Sequence, residues 1–199
     1  MLSVRNLRHS AGMSLIELVV TLAIIGIVFS LGLPSYQVWI QNTKIRTAAE
    51  SILNGMQLAR AEAVRRNTNV GFYLVSALDA SCADDATSSN WLVSIQDPVG
   101  LCNVAPSDST APQIIQKRSQ QEGTSNVVTV TTLPAGMSSV NFTPLGRTTN
   151  TTNDLTQVDI AATDPLTGSR ALRVLIGAGG AIKMCDPLLP SSGADPRRC

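Results

Sequence analysis

Four cysteines, one histidine and a glutamate set in an apolar run are the residues whose types and spacing could do chemistry. Cys82, Cys102, Cys185 and Cys199 could close two disulfides in an oxidising compartment. Of the three pairings, nearest neighbours are preferred: Cys82–Cys102 flanking the Trp91 segment and Cys185–Cys199 bracketing the C-terminal tail. The other two pairings stay open. A loop of this size contributes about 3 kcal/mol when closed, in the chain-entropy account. Zinc fits poorly, because no C-x-x-C pair exists. His9 is the sole histidine and precedes the apolar run. The rest of the chain therefore has no Ser/His/Asp or Cys/His arrangement. Acids are scattered without pairing, and Asp84-Asp85 falls short of an oxygen cage for calcium. The expectation is a protein that is no enzyme and holds no metal or cofactor. Glu17 is different: a carboxylate in hydrocarbon is costly and marks a partner or a function.

The elements around Glu17 explain its setting. The chain has 199 residues, 44% hydrophobic, with only 15% charged and a formal net charge of +1. No global field therefore draws it to nucleic acid or lipid. Residues 1–12 carry Arg5 and Arg8 and no acid, and no charge occurs between Glu17 and Lys44. Such a run can span a bilayer core of about 30 Å. Arginines before it place the N-terminus in the cytoplasm and the rest outside. A cleaved secretory signal would put its small residue after the apolar run; here Gly12 comes before it. Pro34 within the run predicts a helix kink.

After Trp39 the pattern turns amphipathic. Ile45, Ala48, Ala49, Ile52, Met56, Ala59 and Ala63 follow one helical face, and Asn67 is a stop after Arg65 and Arg66. A helix from Met13 to about Arg66 would be roughly 80 Å long. Strands are expected at 70–75, 91–96, 114–117, 127–133, 139–142, 158–161, 171–176 and 181–184, short and rich in Val, Ile and Thr. The fold class is α+β: a long N-terminal helix, half membrane-spanning and half amphipathic, packed on an antiparallel β-rich head. The divisions are a leader at 1–12, a membrane or filament-core helix at 13–39 and a periplasmic head at 40–199.

Gly12-Met13-Ser14-Leu15-Ile16-Glu17 resembles the type IV prepilin processing motif, usually Gly-Phe-Thr-Leu-Ile-Glu. The resemblance implies that prepilin peptidase cuts between Gly12 and Met13 and that Met13 is then N-methylated. The Met13 amine and Glu17 of a neighbouring subunit would offset each other, since buried charges are tolerable only when paired. Glu17 would thereby set axial register in a filament.

The head carries a looser resemblance. Arg60-Ala61-Glu62-Ala63, Arg65-Arg66-Asn67, Trp91-Leu92-Val93 and the stretch 141–147, Asn-Phe-Thr-Pro-Leu-Gly-Arg, resemble the GspH/FimT family. That family includes H-type minor pseudopilins of type II secretion and FimT/FimU-type minor pilins. The resemblance implies a low-abundance subunit near a filament tip that helps start assembly. Its partners would be other major and minor pilins or pseudopilins, and its site the inner membrane and then the pilus. A closed tail loop at Cys185–Cys199 is similar to the C-terminal disulfide loop of pilins.

Some FimT-like pilins bind DNA through a Gly-Arg-x-Arg motif. The matching stretch here, Gly180-Ala181-Ile182-Lys183, keeps only one basic residue. Lys183, Arg197 and Arg198 are the candidate DNA contacts, and a solvated basic loop or subunit contact is preferred over DNA. Asp79, Asp84, Asp85, Asp97 and Asp108 form an acidic stretch without a basic residue among them. The preferred function is a minor pilin of a type IV pilus. The alternatives are an H-type pseudopilin, a DNA-binding minor pilin and an anchored binding module that never polymerises.

Overall fold

The computed structural model describes residues 13–120, 127–149, 152–190, 192 and 194–199; the side chains of 29–34 lie outside that set. Helix α1 spans Leu15–Arg66. Ser14 caps its start: Ser14 Oγ accepts the Glu17 N–H at 3.3 Å, and the Ser14 carbonyl accepts the Leu18 N–H at 3.2 Å. At the other end Asn67 takes a left-handed φ of 51°. Thr68 N–H donates to the Ala63 carbonyl (3.3 Å) and Asn67 N–H to that of Val64 (3.4 Å), closing a Schellman motif. Glu62 accepts from both Arg65 (2.6 Å) and Arg66 (2.7 Å), and Arg66 reaches on to Asp108 at 2.6 Å. The Arg65 hydrogen bond, and then that of Arg66, outweigh burial and hold the Glu62 carboxyl below its ordinary range.

The chain divides into two compact units, Met1–Gln37 and Val38–Cys199. Within the second, the described residues form eight strands in two antiparallel sheets. The first contains β1 (Val70–Leu74), β2 (Trp91–Ser94), β3 (Ile114–Arg118) and β5 (Ser139–Phe142), ordered β3-β2-β1-β5. The second contains β4 (Val128–Leu133), β6 (Gln157–Ala162), β7 (Leu172–Ile176) and β8 (Ile182–Cys185), ordered β4-β6-β7-β8. All eight expected strands are present. Their ends shift by a residue or two, as at β2, which stops at Ser94 where pairing with β3 changes register. The division into two separate sheets is not visible in the strand pattern.

Alternation fixes which sheet faces turn inward. In β6, Val158, Ile160 and Ala162 are buried and pair with buried Thr132, Val130 and Val128 on β4, in that order. In β7, Val174 and Ile176 continue that face. These residues, Phe72 and Trp91 of the first sheet, and the helical stripe Ile45, Ala48, Ala49, Ile52, Met56, Ala59 and Ala63 form one core. Gly55 lets the first sheet approach: a Cβ there would sit 2.8 Å from the Phe72 ring and 3.0 Å from Trp91. Those rings pack with centroids 5.7 Å apart, and Trp91 Nε1 donates to Ser51 Oγ at 2.9 Å.

Candidate functional site

In the first unit, residues 13–28 present aliphatic side chains on every side, with Leu15 83% and Ile16 72% exposed. A helix apolar all round needs lipid or other helices to cover it. Glu17 is exposed among these side chains, with no side-chain partner among the described residues. Its backbone N–H, capped by Ser14, ties the processing-motif residues to the helix start. Among the described residues no helix is long and apolar enough to cross a membrane. Residues 13–28 fall short of the roughly 20 that a crossing requires, and the next six side chains, 29–34, are outside the described set. Helix α1 runs through Pro34, whose side chain belongs to those six; Gly12 and the leader also lie outside the described residues.

The second unit opens with a feature that the hydropathy pattern does not signal. Buried Gln41 donates from Nε2 to the Asp164 carbonyl (2.8 Å) and accepts the Leu166 N–H at Oε1 (3.1 Å). Adjacent Asn42 donates to the Gly168 carbonyl (3.2 Å) and accepts the Arg170 N–H (2.8 Å). Two side-chain amides thus clamp the helix to the β6–β7 loop. The only sequence signal is an amide pair at the end of an uncharged run.

The head motifs meet at a second junction. Arg60 Nε donates to the Gly146 carbonyl at 3.0 Å. A turn closed by Gly146 N–H on the Thr143 carbonyl (2.8 Å) presents that carbonyl. Gly180, at φ +78°, packs so close that a Cβ would overlap the Gly146 carbonyl. Arg60, Gly146 and Gly180 are therefore positioned by packing: the residues that carry the family resemblance hold the helix between two turns.

The structure bonds Cys82 to Cys102 and Cys185 to Cys199, with Cα atoms 6.1 and 5.1 Å apart, and no described cysteine is free. The first bridge is buried with Leu92 and Val75. The second closes the tail, where Asp186 N–H donates to the Arg197 carbonyl at 2.7 Å. Arg197 also grips Asp195 (2.7 Å), whose carboxyl is drawn down to about 2 by that hydrogen bond. Lys183 stands apart, exposed on β8 where Ile182 and Met184 pack against the core. A cleft of about 330 Å³ beside the tail is lined by Asn42, Arg46, Arg170, Leu172, Met184, Cys185, Asp186 and Arg197. Lys183 and Arg198 do not line it. No group of acids, cysteines or histidine among the described residues could hold a metal ion.

A long helix on two antiparallel sheets, preceded by a processing-type motif, defines a pilin-like protein. Residues 48–180 match the family described as type II transport protein GspH, and residues 7–33 match the prokaryotic N-terminal methylation motif. The chain belongs to the GspH family. No curated protein matches it. Two crystal structures of the type IV minor pilin FimU from Pseudomonas aeruginosa are similar. One has 17% identity and a TM-score of 0.43 over 76% of this chain and 98% of that one. The other has 18% identity and a TM-score of 0.44 over 77% and 93%.

Proposed function

We propose that this chain is a minor pilin that joins, and helps initiate, a type IV pilus. The observation that carries the reading is the exposed apolar segment 13–28, bearing Glu17, in a chain whose head buries a core of its own. Cleavage between Gly12 and Met13 by prepilin peptidase, and methylation of Met13, would free a cationic terminus. Glu17 of a neighbouring subunit then offsets that charge in an apolar setting. Before assembly, the run from residue 18 to 43, uncharged throughout, holds the chain in the inner membrane with the head in the periplasm. The role is assembly rather than catalysis.

A second reading is favoured by the family description itself, which names type II transport: an H-type minor pseudopilin of the secretion system. Deleting the chromosomal copy and scoring surface pili and secreted enzymes together separates the two. Lost pili with normal secretion supports the pilus; lost secretion with normal pili supports the pseudopilus and ends the first reading.

A further inference from the structure

The two turns that hold Arg60 also build an exposed surface. The turn at 143–147 lies on the outer face of α1: a Cβ on Gly146 would meet Val64 at 3.3 Å and Arg60 at 3.2 Å. The turn at 177–180 sits next to it, where Thr148 donates both its N–H and its Oγ1 to the Ala178 carbonyl, each at 3.3 Å. Leu145 crowns the first turn at 81% exposure, the highest of any large apolar side chain described in residues 38–199. Val64, against the same turn, is 54% exposed, and Ala61, Ala178 and Gly179 are exposed around them. Apolar side chains gathered in this way mark a contact surface rather than scatter.

Leu145 is held out rather than left loose. Thr143 donates its N–H and its Oγ1 to the Arg147 carbonyl, at 2.8 and 3.1 Å, and Gly146 at a left-handed φ of 70° completes the turn. A side chain already fixed in place loses little freedom when a partner covers it. The charge on this surface has one sign. Arg60 shares a hollow with Ala61, Val64 and Ile182, and Arg147 shares another with Ala178 and Gly179. Among the described residues no carboxylate lines either hollow, and neither guanidinium has an ion-pair partner. Arg60 spends only its Nε, on the Gly146 carbonyl. Glu62, the nearest acid along the helix, is occupied by Arg65 and Arg66.

We propose that this surface docks a different pilin-type subunit, one that presents a carboxylate beside an apolar notch. Leu145 and Val64 enter the notch, while Arg147 and the outer nitrogens of Arg60 take the carboxylate. A nucleic-acid backbone would pair with the arginines and leave Leu145 and Val64 in water. A second copy is the wrong occupant, since a subunit that starts a filament stands among unlike neighbours. Arginines and a large apolar anchor on one preformed patch are what a protein partner uses best. The inference rests on the assembly reading.

The test is photo-cross-linking in the source bacterium, with benzoylphenylalanine placed at exposed Ala178 of the full chain and the adduct sequenced. The expected adduct is with another chain that carries its own processing motif, at a segment holding Asp or Glu. Arg147→Glu should lower its yield about tenfold, because like charges then face each other. Arg147→Gln should lower it less, and Leu145→Ser should lower it with the thermal midpoint of the head unchanged. Replacing the partner's cross-linked acid by Arg should restore the adduct with Arg147→Glu. Variants that cross-link like wild type, an adduct only with nucleic acid or with a second copy, or no adduct at all, overturn the proposal. An adduct confined to subunits of the secretion system keeps this contact and sinks the pilus reading. Pili that vanish on deletion but form normally with Leu145→Ser/Arg147→Glu keep the pilus reading and sink this contact.

Discussion

Residues 15–28 and residues 45–63 belong to one helix and are both rich in aliphatic and small side chains. Yet the first stretch is exposed nearly all round, while the second buries a stripe at 3–4–7 spacing under two sheets. What differs is where the covering surface comes from. The head stretch alternates apolar stripe with polar back, so one side suffices and the chain itself supplies the cover. In the N-terminal stretch the only polar side chains are Glu17 and Thr21, with Ser14 just before it, and the head supplies no cover for the aliphatic ones around them.

Glu17→Ala tests the first half of that contrast most severely. Incorporation into filaments should fall to background while the thermal midpoint of the head stays unchanged. Wild-type incorporation would remove the assembly role of this carboxylate. In the second half, Ile52→Ala should cost about 2–5 kcal/mol in denaturant unfolding, since the site is fully buried between helix and sheets. A cost below that of a surface substitution would mean that the helix is not the spine of the core. Replacing Cys185 and Cys199 together by serine should lower stability by about 3 kcal/mol at most, read in the same unfolding experiment. No loss would show a tail that is held without its bridge.

Smaller effects probe the edges of the comparison. Gln41→Ala leaves the Leu166 N–H and the Asp164 carbonyl without their partner and should cost about 1–3 kcal/mol. An unchanged unfolding curve would remove the clamp. The smallest effect is in acid. Asp195 has its folded pKa depressed to about 2 from 3.8, so its contribution is present above about pH 4 and is lost as pH falls toward 2. Protease sensitivity of the tail should rise across that window and become independent of pH in Asp195→Asn. Flat sensitivity in the wild type would mean that the Arg197 pair does not hold the tail.

The sequence made the helix, its stripe and the strands legible because each follows a short period: 3.6 for the stripe, 2 for β4 and β6. Asn67 was legible as a stop because few residues other than glycine tolerate its left-handed φ. The split into two sheets was not, because it depends on which strands pair, and β5 joins β1 across a long stretch of chain. The Gln41–Asn42 clamp was hidden for a similar reason: its partners are backbone atoms more than a hundred residues away. At the Gly180 stretch, the departure from Gly-Arg-x-Arg was visible, but the overlap that Gly180 avoids was not. The cleft beside the tail was not legible, since Asn42, Arg170 and Arg197 meet around it only after folding.

The clamp has a mechanical consequence. Were the helix of the head pulled from its N-terminal end, Gln41 and Asn42 would take the load early, since they bond it to the β6–β7 loop. Their amides grip both donors and acceptors of the β6–β7 loop, so the load divides among four hydrogen bonds before it reaches Ile45. Bonds pulled in parallel yield together rather than one after another, and the greasy stripe behind them is spared. Two neutral side chains thereby act as a fastening at the point where the head begins.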